Sequence, residues 1–367
     1  MTTGSAFVIG ATGQIGRAAV RALAEDGWEV RAASRGGGGD VPWPDGVRPV
    51  TVDREDTAAL ASALGDGCDV LLDCVAYGTE HARQLLDLSG RIGSAVVVSS
   101  CSVYADDRGR SLQTQEEPDG APVLPVPIPE TQSLVPAGPR DYATRKAALE
   151  RELLAAGDRL PTTLVRAGAV HGPHDLRPRE MYFVKRALDR RPVMIMAHNG
   201  ESRFHPVHTA NLAELVRLAA RRPGSRVLNA GDPYAPTVAE IAAAIGALLD
   251  HDAETVLVDG PPPAPNVGDT PWSAAHPFVL DMAAAARELG YRAVTGYAES
   301  LPATVQGLVA RLGDRDWRAA FPVLATTYDR FGDLFDYAAE DRWLAEGKPL
   351  APRTGPHWPS AVGSDRS

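Results

Sequence analysis

The chain has 367 residues, of which 44% are hydrophobic and 23% are charged. This composition is typical of a globular protein and excludes a chain that stays disordered for want of apolar residues. The formal net charge of −10 argues against nucleic acid as a partner, because an acidic surface repels phosphate backbones. At roughly 150 residues per domain, the length favours two domains.

Three sequence features bear on the compartment in which the protein works. No apolar run approaches the roughly 20 residues that a membrane-spanning helix needs, so we expect no membrane association. The N-terminal residues lack the basic start and the apolar stretch of a secretory signal. The cysteines are Cys68, Cys74 and Cys101, an odd number, and two of them lie in strand-like apolar runs. Reduced thiols in a cytoplasmic protein are therefore expected.

Strand and helix patterns alternate through the first part of the chain. Short apolar runs predict strands, and apolar residues at helical spacing predict helices between them. The predicted strands are residues 5–10, 28–33, 49–52, 69–74, 95–99 and 162–166, and the predicted helices are 14–26, 57–64, 80–88 and 141–156. Strands without polar alternation indicate a parallel sheet that is covered on both faces. We predict an α/β protein with a Rossmann-type doubly wound parallel sheet, whose ligands bind beyond the carboxyl ends of the strands.

The pattern changes after Gly168, where we predict a smaller C-terminal α/β domain. We expect helices over 180–189, 211–221, 238–249, 281–289 and 298–312, and one or two more over 318–345, with a strand at 226–229. The predicted divisions are a first domain over 1–167 with a return segment near 204–230, a discontinuous second domain over 168–312, and a helical extension with a tail over 313–367. Residues 106–140 are rich in proline and acidic residues without any periodicity, and a loop of this length is usually functional or disordered.

A glycine-rich segment, Gly10-Ala11-Thr12-Gly13-Gln14-Ile15-Gly16, lies between the first predicted strand and the first predicted helix. Glycines at this position allow a tight turn and the close approach of a pyrophosphate, whose charge the helix N-terminus attracts. Because the strand–turn–helix context is right, we predict a dinucleotide site here. The domain over 1–167 is then the predicted NAD(P)-binding domain, and the domain over 168–312 is the predicted substrate-binding domain. The residues expected to line it are Gly10, Thr12, Gly13, Gln14, Ile15 and Gly16.

The end of the second predicted strand bears on the choice of cofactor. An acidic residue there would select NAD, whereas this chain has Ser34 and Arg35. An arginine suits the 2′-phosphate of NADP, so we predict that NADP(H) is preferred, with NAD(H) as the alternative if Arg35 is only solvated. Asp53, after the third strand, is placed to bind the adenine amino group. Cys74-Val75-Ala76, after the fourth, would line the cofactor, although an ordinary strand end explains these residues almost as well.

Tyr142 and Lys146 form a Y-x-x-x-K pair at the start of the helix predicted over 141–156. Residues four apart share a helix face, so the ammonium can lie near the phenol and lower its pKa from about 10. Such a tyrosine can exchange a proton with an alcohol or a carbonyl. Ser100 closes the fifth predicted strand, where its hydroxyl can hold a substrate oxygen against the tyrosine. A surface helix pair and a turn-forming serine are the alternatives.

Taken together, these residues resemble the extended short-chain dehydrogenase/reductase family, in its NAD-dependent epimerase/dehydratase branch, over residues 5–312. The resemblance is carried by the glycine-rich turn and by V-V-V-S-S-C-S-V-Y (96–104), Y-A-T-R-K (142–146), V-R-A-G-A-V-H-G-P-H-D (165–175) and L-G-Y (289–291). It implies a catalytic triad of Ser100, Tyr142 and Lys146, in which Lys146 also holds the nicotinamide ribose. It also implies a homodimer formed through helices of the first domain, including that of Tyr142.

Departures from the family pattern narrow the reaction. Dehydratases of the family carry Asp-Glu where this chain has Cys101 and Ser102, so dehydration by that mechanism is not expected. In the segment from Arg203 to Asn211 an asparagine replaces the family's aspartate and the spacing is shifted, which argues against a nucleotide-sugar substrate even though Arg203 is placed to grip a phosphate. We assign the substrate contacts to Tyr77, Cys101, Ser102, Arg166, His174 and Arg203.

The predicted function is NAD(P)-dependent hydride transfer to or from a carbonyl or secondary alcohol of a small polar metabolite or a secondary-metabolite ketone. The alternatives are a nucleotide-sugar epimerase that retains NAD, and a non-catalytic cofactor-sensing or RNA-binding relative, which would usually lack the tyrosine and the lysine. Cys101 is either a thiol acid/base in an epimerisation or a small buried side chain. His171-x-x-His174 and His205-x-x-His208 have the spacing of metal ligands, but both lie in family motifs, so no metal is predicted.

Overall fold

The computed structural model describes residues 3–36 and 41–346, which form two compact units. The first unit comprises the residues up to Asp175 together with His205–Tyr234 and Phe278–Tyr297. The second comprises Leu176–Phe204, Ala235–Pro277 and the described residues from Ala298 onward. The tail predicted at the end of 313–367 lies outside the described residues. The assignment of 168–312 to substrate binding stays a prediction.

The first unit is built on seven of the strands. In chain order, the strands of the described residues as a whole are β1 (Gly4–Ile9), β2 (Trp28–Ser34), β3 (Arg48–Thr51), β4 (Cys68–Asp73), β5 (Ile92–Ser100), β6 (Thr162–Ala167), β7 (Ala169–His171), β8 (Val193–Met196), β9 (Pro206–His208), β10 (Arg226–Ala230) and β11 (Glu254–Leu257). The sheet is parallel, in the order β10-β6-β5-β4-β1-β2-β3. The strand order reverses around β1, where Ile9 is in register with Ala33 of β2 and with Asp73 of β4. The predicted Rossmann-type doubly wound sheet is confirmed, and the reversal marks the crevice where such sheets bind ligands.

Helices cover both faces of this sheet. The helices of the chain are α1 (Gln14–Glu25), α2 (Thr57–Leu64), α3 (Thr79–Asp87), α4 (Tyr142–Ala155), α5 (Met181–Leu188), α6 (Thr209–Arg221), α7 (Val238–Leu248), α8 (Ala283–Leu289), α9 (Tyr297–Leu312), α10 (Trp317–Ala320), α11 (Pro322–Phe331) and α12 (Tyr337–Ala345). Successive residues of β1 face opposite layers: Val8 joins the core with α1, α6 and α8, and Phe7 joins the core with α2, α3 and α4. No helix among the described residues is both long enough and apolar enough to cross a bilayer.

The second unit contains the parallel pair β8–β11 and the C-terminal helices. The prediction of one or two helices over 318–345 is wrong, since α10, α11 and α12 occupy this stretch. Pro322 has no N–H to continue α10 and starts α11 instead, and Gly332, with φ of +124°, ends it. Arg186 of α5 donates to both carboxylate oxygens of Glu340 in α12, at 2.9 and 2.7 Å, and both side chains are buried.

Residues 106–140 are tied down by hydrogen bonds despite their lack of periodicity. The Asp106 carboxylate accepts from the backbone N–H groups of Arg108, Arg110 and Val123. Further along, the N–H of Ile128 donates to the carbonyl of Val279 at 2.7 Å. The segment is therefore an ordered part of the first unit. Polar contacts between residues far apart in the chain hold it in place, and the local sequence pattern does not predict these contacts.

Candidate active site

The turn after β1 has the geometry that a dinucleotide requires. Gly10 has φ of +81°, and a Cβ there would lie 2.8 Å from Cγ1 of Val75. A Cβ on Gly16 would lie 2.2 Å from the carbonyl oxygen of Gly10, so only glycine lets α1 start this close to the strand. The helix begins at Gln14 after Gly13, and no side chain caps its first N–H groups. These free donors and the narrow turn fit a pyrophosphate, as predicted for the segment that includes Thr12 and Ile15.

The neighbouring strand ends place the other predicted cofactor residues. Ser34 is buried at the end of β2, and its hydroxyl has no hydrogen-bond partner among the described residues. Arg35 and Asp53 are exposed, and Asp53 accepts from the N–H of Glu55 at 3.1 Å. Burial, reinforced by Asp73, raises the pKa of the Cys74 thiol, so the segment Cys74-Val75-Ala76 presents a neutral surface. An orphaned hydroxyl beside an exposed arginine fits the adenosine end of a cofactor, and the roles of these residues stay predictions.

Tyr142 and Lys146 are set by the start of α4. Asp141 accepts from the N–H of Thr144 at 2.8 Å, and the hydroxyl of Thr144 accepts from the N–H of Asp141 at 2.9 Å. This reciprocal capping box makes Tyr142 the first helical residue. The Tyr142 side chain is 44% exposed, whereas Lys146, one turn later, is 2% exposed. The tyrosine therefore faces outward while the lysine supports it from the interior.

The Lys146 ammonium lies in a polar pocket below two aromatic rings. Its Nζ donates to the carbonyl oxygens of Ala76 at 2.5 Å and Val98 at 2.8 Å. It lies 5.6 Å from the centre of the Tyr142 ring and 5.1 Å from that of Tyr77. Burial lowers the pKa of Lys146 to about 8, against the opposing effects of nearby buried carboxylates. The ammonium is thus held where it can stabilise negative charge on a phenol.

The two carboxylates near Lys146 each have an arginine partner. Asp73 pairs with Arg54 at 2.5 Å, and Glu150 pairs with Arg166 at 2.7 Å. All four side chains are buried. Because each carboxylate is neutralised locally, neither takes the lysine as its ion-pair partner, and Lys146 keeps its contacts with the two backbone carbonyls. Sequence reasoning missed Arg54, Asp73 and Glu150; a glutamate on the apolar face of α4, one turn after the lysine, was the available signal.

Ser100 ends β5, next to the strand positions that hold Lys146. Its hydroxyl oxygen accepts from the N–H of Ser102 at 3.2 Å and caps a short 3-10 turn over Cys101–Val103. The carbonyl of Val98, two residues earlier, accepts from Lys146. Strand β5 and helix α4 therefore meet at the residues of the predicted triad. The Ser100 hydroxyl uses only its oxygen in the capping bond, so its hydrogen is not used there.

The predicted substrate residues divide into exposed and buried groups. Tyr77 is 45% exposed, its ring lies 6.2 Å from that of Tyr142, and its N–H donates to Nδ1 of His81. Tyr77 therefore offers a second aromatic wall beside Tyr142. Cys101 and Ser102, by contrast, are buried, and the hydroxyl of Ser102 has no partner among the described residues.

Arg166 lies in a buried network in which all three guanidinium nitrogens are engaged. Its Nε and Nη2 donate to Glu150, and its Nη1 donates to the hydroxyl of Tyr104 at 3.2 Å and the carbonyl of Glu130 at 2.9 Å. Tyr104 in turn donates to Oδ1 of Asn229 at 2.6 Å. Its predicted contact with a substrate stays a prediction, and the contacts present here are those of a structural residue.

The remaining predicted residues lie in separate places. His174 has φ of +65°, and its pKa is lowered by burial and by Arg17 and Arg21. Arg203 belongs to the second unit, where it donates to the carbonyl of Ala235 and lies 4.0 Å from Glu240.

The paired histidines are engaged elsewhere. His171 bonds to the buried Asp232 carboxylate at 2.8 Å, and His205 bonds to the carbonyl of the same residue at 2.7 Å. His208 accepts from the N–H of Ala210 at the start of α6. Within 3–36 and 41–346, no three side chains of histidine, cysteine, aspartate or glutamate form a group that could hold a metal ion.

Comparison with known proteins gives a family and a fold. A model of the NAD-dependent epimerase/dehydratase family matches residues 6–231, more than half of the chain. DesIV, a dTDP-glucose 4,6-dehydratase from Streptomyces venezuelae solved with NAD, is 21% identical, with 85% of this chain and 99% of DesIV covered and a TM-score of 0.64. The UDP-glucose 4-epimerase of Thermus thermophilus, also solved with NAD, is 21% identical, with 83% and 98% covered and a TM-score of 0.62. No curated protein sequence matches the chain. At these identities the solved structures show a shared fold.

Proposed function

Since the chain belongs to the NAD-dependent epimerase/dehydratase family, and is therefore an enzyme that uses a nicotinamide cofactor, we propose that it interconverts a carbonyl and a secondary alcohol by hydride transfer. The observation that supports this proposal is the position of the Lys146 ammonium. It is buried against two backbone carbonyls and lies below the outward-facing Tyr142 ring. A lysine so placed can stabilise a phenolate but has no access to solvent of its own.

In the proposed mechanism the bound cofactor supplies or accepts the hydride. In the reducing direction Tyr142 donates its phenolic proton to the substrate oxygen, and in the oxidising direction it takes that proton back. Lys146 stabilises the phenolate formed in the first case, and the Ser100 hydroxyl donates a hydrogen bond to the same oxygen. The turn from Gly10 to Gly16 would hold the pyrophosphate, and Arg35 would hold the 2′-phosphate of NADP.

We favour a reductase or dehydrogenase over a dehydratase. The positions of the dehydratase Asp-Glu pair hold Cys101 and Ser102, which carry no carboxylate and are 3% and 7% exposed. A nucleotide-sugar epimerase that retains NAD is the second candidate, because similar folds include a UDP-glucose 4-epimerase solved with NAD. The homodimer, the cytoplasmic location and the preference for NADP are part of this proposal.

One experiment separates these candidates. Small molecules released from freshly purified, denatured protein are identified by mass spectrometry, and the protein is titrated with NADPH and NADH. Stoichiometric retained NAD supports the epimerase. An empty site that prefers NADPH supports the reductase, and Arg35→Ala should then remove most of that preference.

The acid/base role is tested by Tyr142→Phe, with Tyr291→Phe as the control, since Tyr291 packs in the core with α8. Loss of a general acid lowers turnover by about 100-fold or more. If Tyr142→Phe kept more than about a tenth of wild-type turnover, the assignment of Tyr142 would be wrong.

A further inference from the structure

A groove of about 630 Å³ runs between α1 and α6 on the side of the sheet opposite α2, α3 and α4. Its volume is in the range of sites that take small organic ligands. Small side chains, among them Ala18, Ala22 and Ala213, form its middle. The proposed mechanism uses none of these alanines, and the groove meets the cofactor turn at Gln14.

The charges at one end of the groove are neutralised within the protein. Arg217 of α6 bonds to Glu214 at 2.7 Å and to Asp26 at 3.0 Å. Arg221 bonds to the same aspartate at 2.5 Å. These two arginines and two carboxylates cancel, and Glu25 lines the same end, so this end of the groove offers no positive charge to an anion.

The other end of the groove carries positive charge that no carboxylate balances. Arg17 and Arg21 lie one turn apart on α1, and neither forms an ion pair with a residue of the described chain. Glu25, a further turn along α1, also lines the groove but does not pair with Arg21. Burial lowers the pKa of His174, and the nearby Arg17 and Arg21 lower it further. Like charges at this helical spacing repel each other, so the arrangement costs stability unless an anion joins it.

The basic end is also held in place. Arg17 uses its Nε to donate to the carbonyl of Thr12 at 2.8 Å, and its two Nη groups make no hydrogen bond with described residues. His174 has the left-handed φ of +65°, which is uncommon for a residue other than glycine. The surrounding structure must therefore hold the backbone of His174 in place.

We propose that the groove between α1 and α6 binds a phosphate-bearing small molecule. Arg17, Arg21 and His174 hold the phosphate, and the alanines between the helices contact the organic part. A guanidinium fork matches a phosphate in geometry and charge, and two of them one turn apart can share its oxygens. The site lies along the length of α1, whereas the cofactor's pyrophosphate would meet the turn before that helix. This proposal does not depend on the proposed reaction.

The test is isothermal titration calorimetry of the full chain with inorganic phosphate and with phenyl phosphate. It is performed in saturating NADPH or NADH, so that the turn after β1 is filled. The variants are Arg17→Gln/Arg21→Gln and, as a charge-matched control, Arg83→Gln/Arg151→Gln, two exposed arginines of α3 and α4 on the opposite face of the sheet.

We expect phenyl phosphate to bind more tightly than inorganic phosphate, because it also uses the apolar middle of the groove. The double variant should lower the affinity for phenyl phosphate by about tenfold or more, and the control should leave it within about twofold. Equal binding by the double variant would place the phosphate elsewhere, and no binding by the wild type would also overturn the proposal.

Discussion

Replacing Arg166 with methionine tests whether this side chain supports the fold or contacts a substrate. In the structure Arg166 is 3% exposed, and its guanidinium bonds to Glu150, Tyr104 and the carbonyl of Glu130. Glu150 is itself 1% exposed. Once the arginine is removed, the donor that remains to this carboxylate is the Ser99 hydroxyl, at 2.5 Å. The variant therefore leaves a buried carboxylate almost without compensation.

The magnitude follows from that burial. Removing one partner of a buried ion pair costs about 3–5 kcal/mol, because the other charge stays desolvated. For a unit of this size each kcal/mol lowers the melting temperature by about 2–4 °C, so we expect a fall of about 6–20 °C. The double variant Arg166→Met/Glu150→Leu removes the stranded charge as well, and should recover more than half of the lost free energy of unfolding.

Thermal and denaturant unfolding, followed by circular dichroism, measure the change, and Arg151→Met on the exposed face of α4 serves as the control. That control should stay within about 0.5 kcal/mol of the wild type. KM is measured in parallel at a temperature where every variant is folded. If Arg166→Met lost less than about 1 kcal/mol but raised KM by tenfold, Arg166 would contact the substrate and the structural reading would be refuted.

Three further outcomes are expected. Turnover in carbonyl reduction should fall as pH rises past about 8, because Lys146 then loses its proton and no longer stabilises the phenolate. A turnover that stayed constant through this pH range would contradict the role given to Lys146. Gly16→Ala should lower the melting temperature far more than Gly13→Ala, since its Cβ would lie 2.2 Å from a carbonyl oxygen rather than 3.3 Å. Burial lowers the pKa of His208 from 6.5 to about 4, so the neutral form is favoured on folding and stability should fall as pH drops through that window. His208→Asn, which can keep the helix cap, should reduce this acid sensitivity, and an unchanged pH profile of stability would exclude the mechanism.

The local sequence pattern was enough to predict the parallel sheet, the glycine-rich turn and the pair of Tyr142 and Lys146. The apolar runs of β1, β4 and β5 stand out because both faces of a parallel strand are buried. The glycine turn and the spacing of Tyr142 and Lys146 are equally local, since one depends on backbone freedom and the other on the helical repeat. These features could be read without knowing which segments meet.

Other parts depend on contacts between residues far apart in the chain. The strands β7, β8, β9 and β11 have three or four residues each, and they lie outside the regular alternation of strand and helix that identifies the equally short β3. The hydrogen-bond acceptors of the Lys146 ammonium are backbone carbonyl oxygens 70 and 48 residues away. Because every residue has a backbone carbonyl, the residue types do not indicate which ones accept from the lysine. Arg166 matched a family segment, but its partner Glu150 became evident only when β6 and α4 were packed together.

The way residues 128–130 join the sheet limits how this protein can be recombined with its relatives. Asn229 of β10 donates its N–H to Glu130 at 2.8 Å and its side-chain amide to the carbonyl of Ile128 at 3.0 Å, while Arg166 of β6 donates to the carbonyl of Glu130. A chimera that received a shorter connection here would leave several buried donors without acceptors, each at a cost of about 1–3 kcal/mol. The stretch from Ile128 to Glu130 therefore has to be inherited together with β6 and β10.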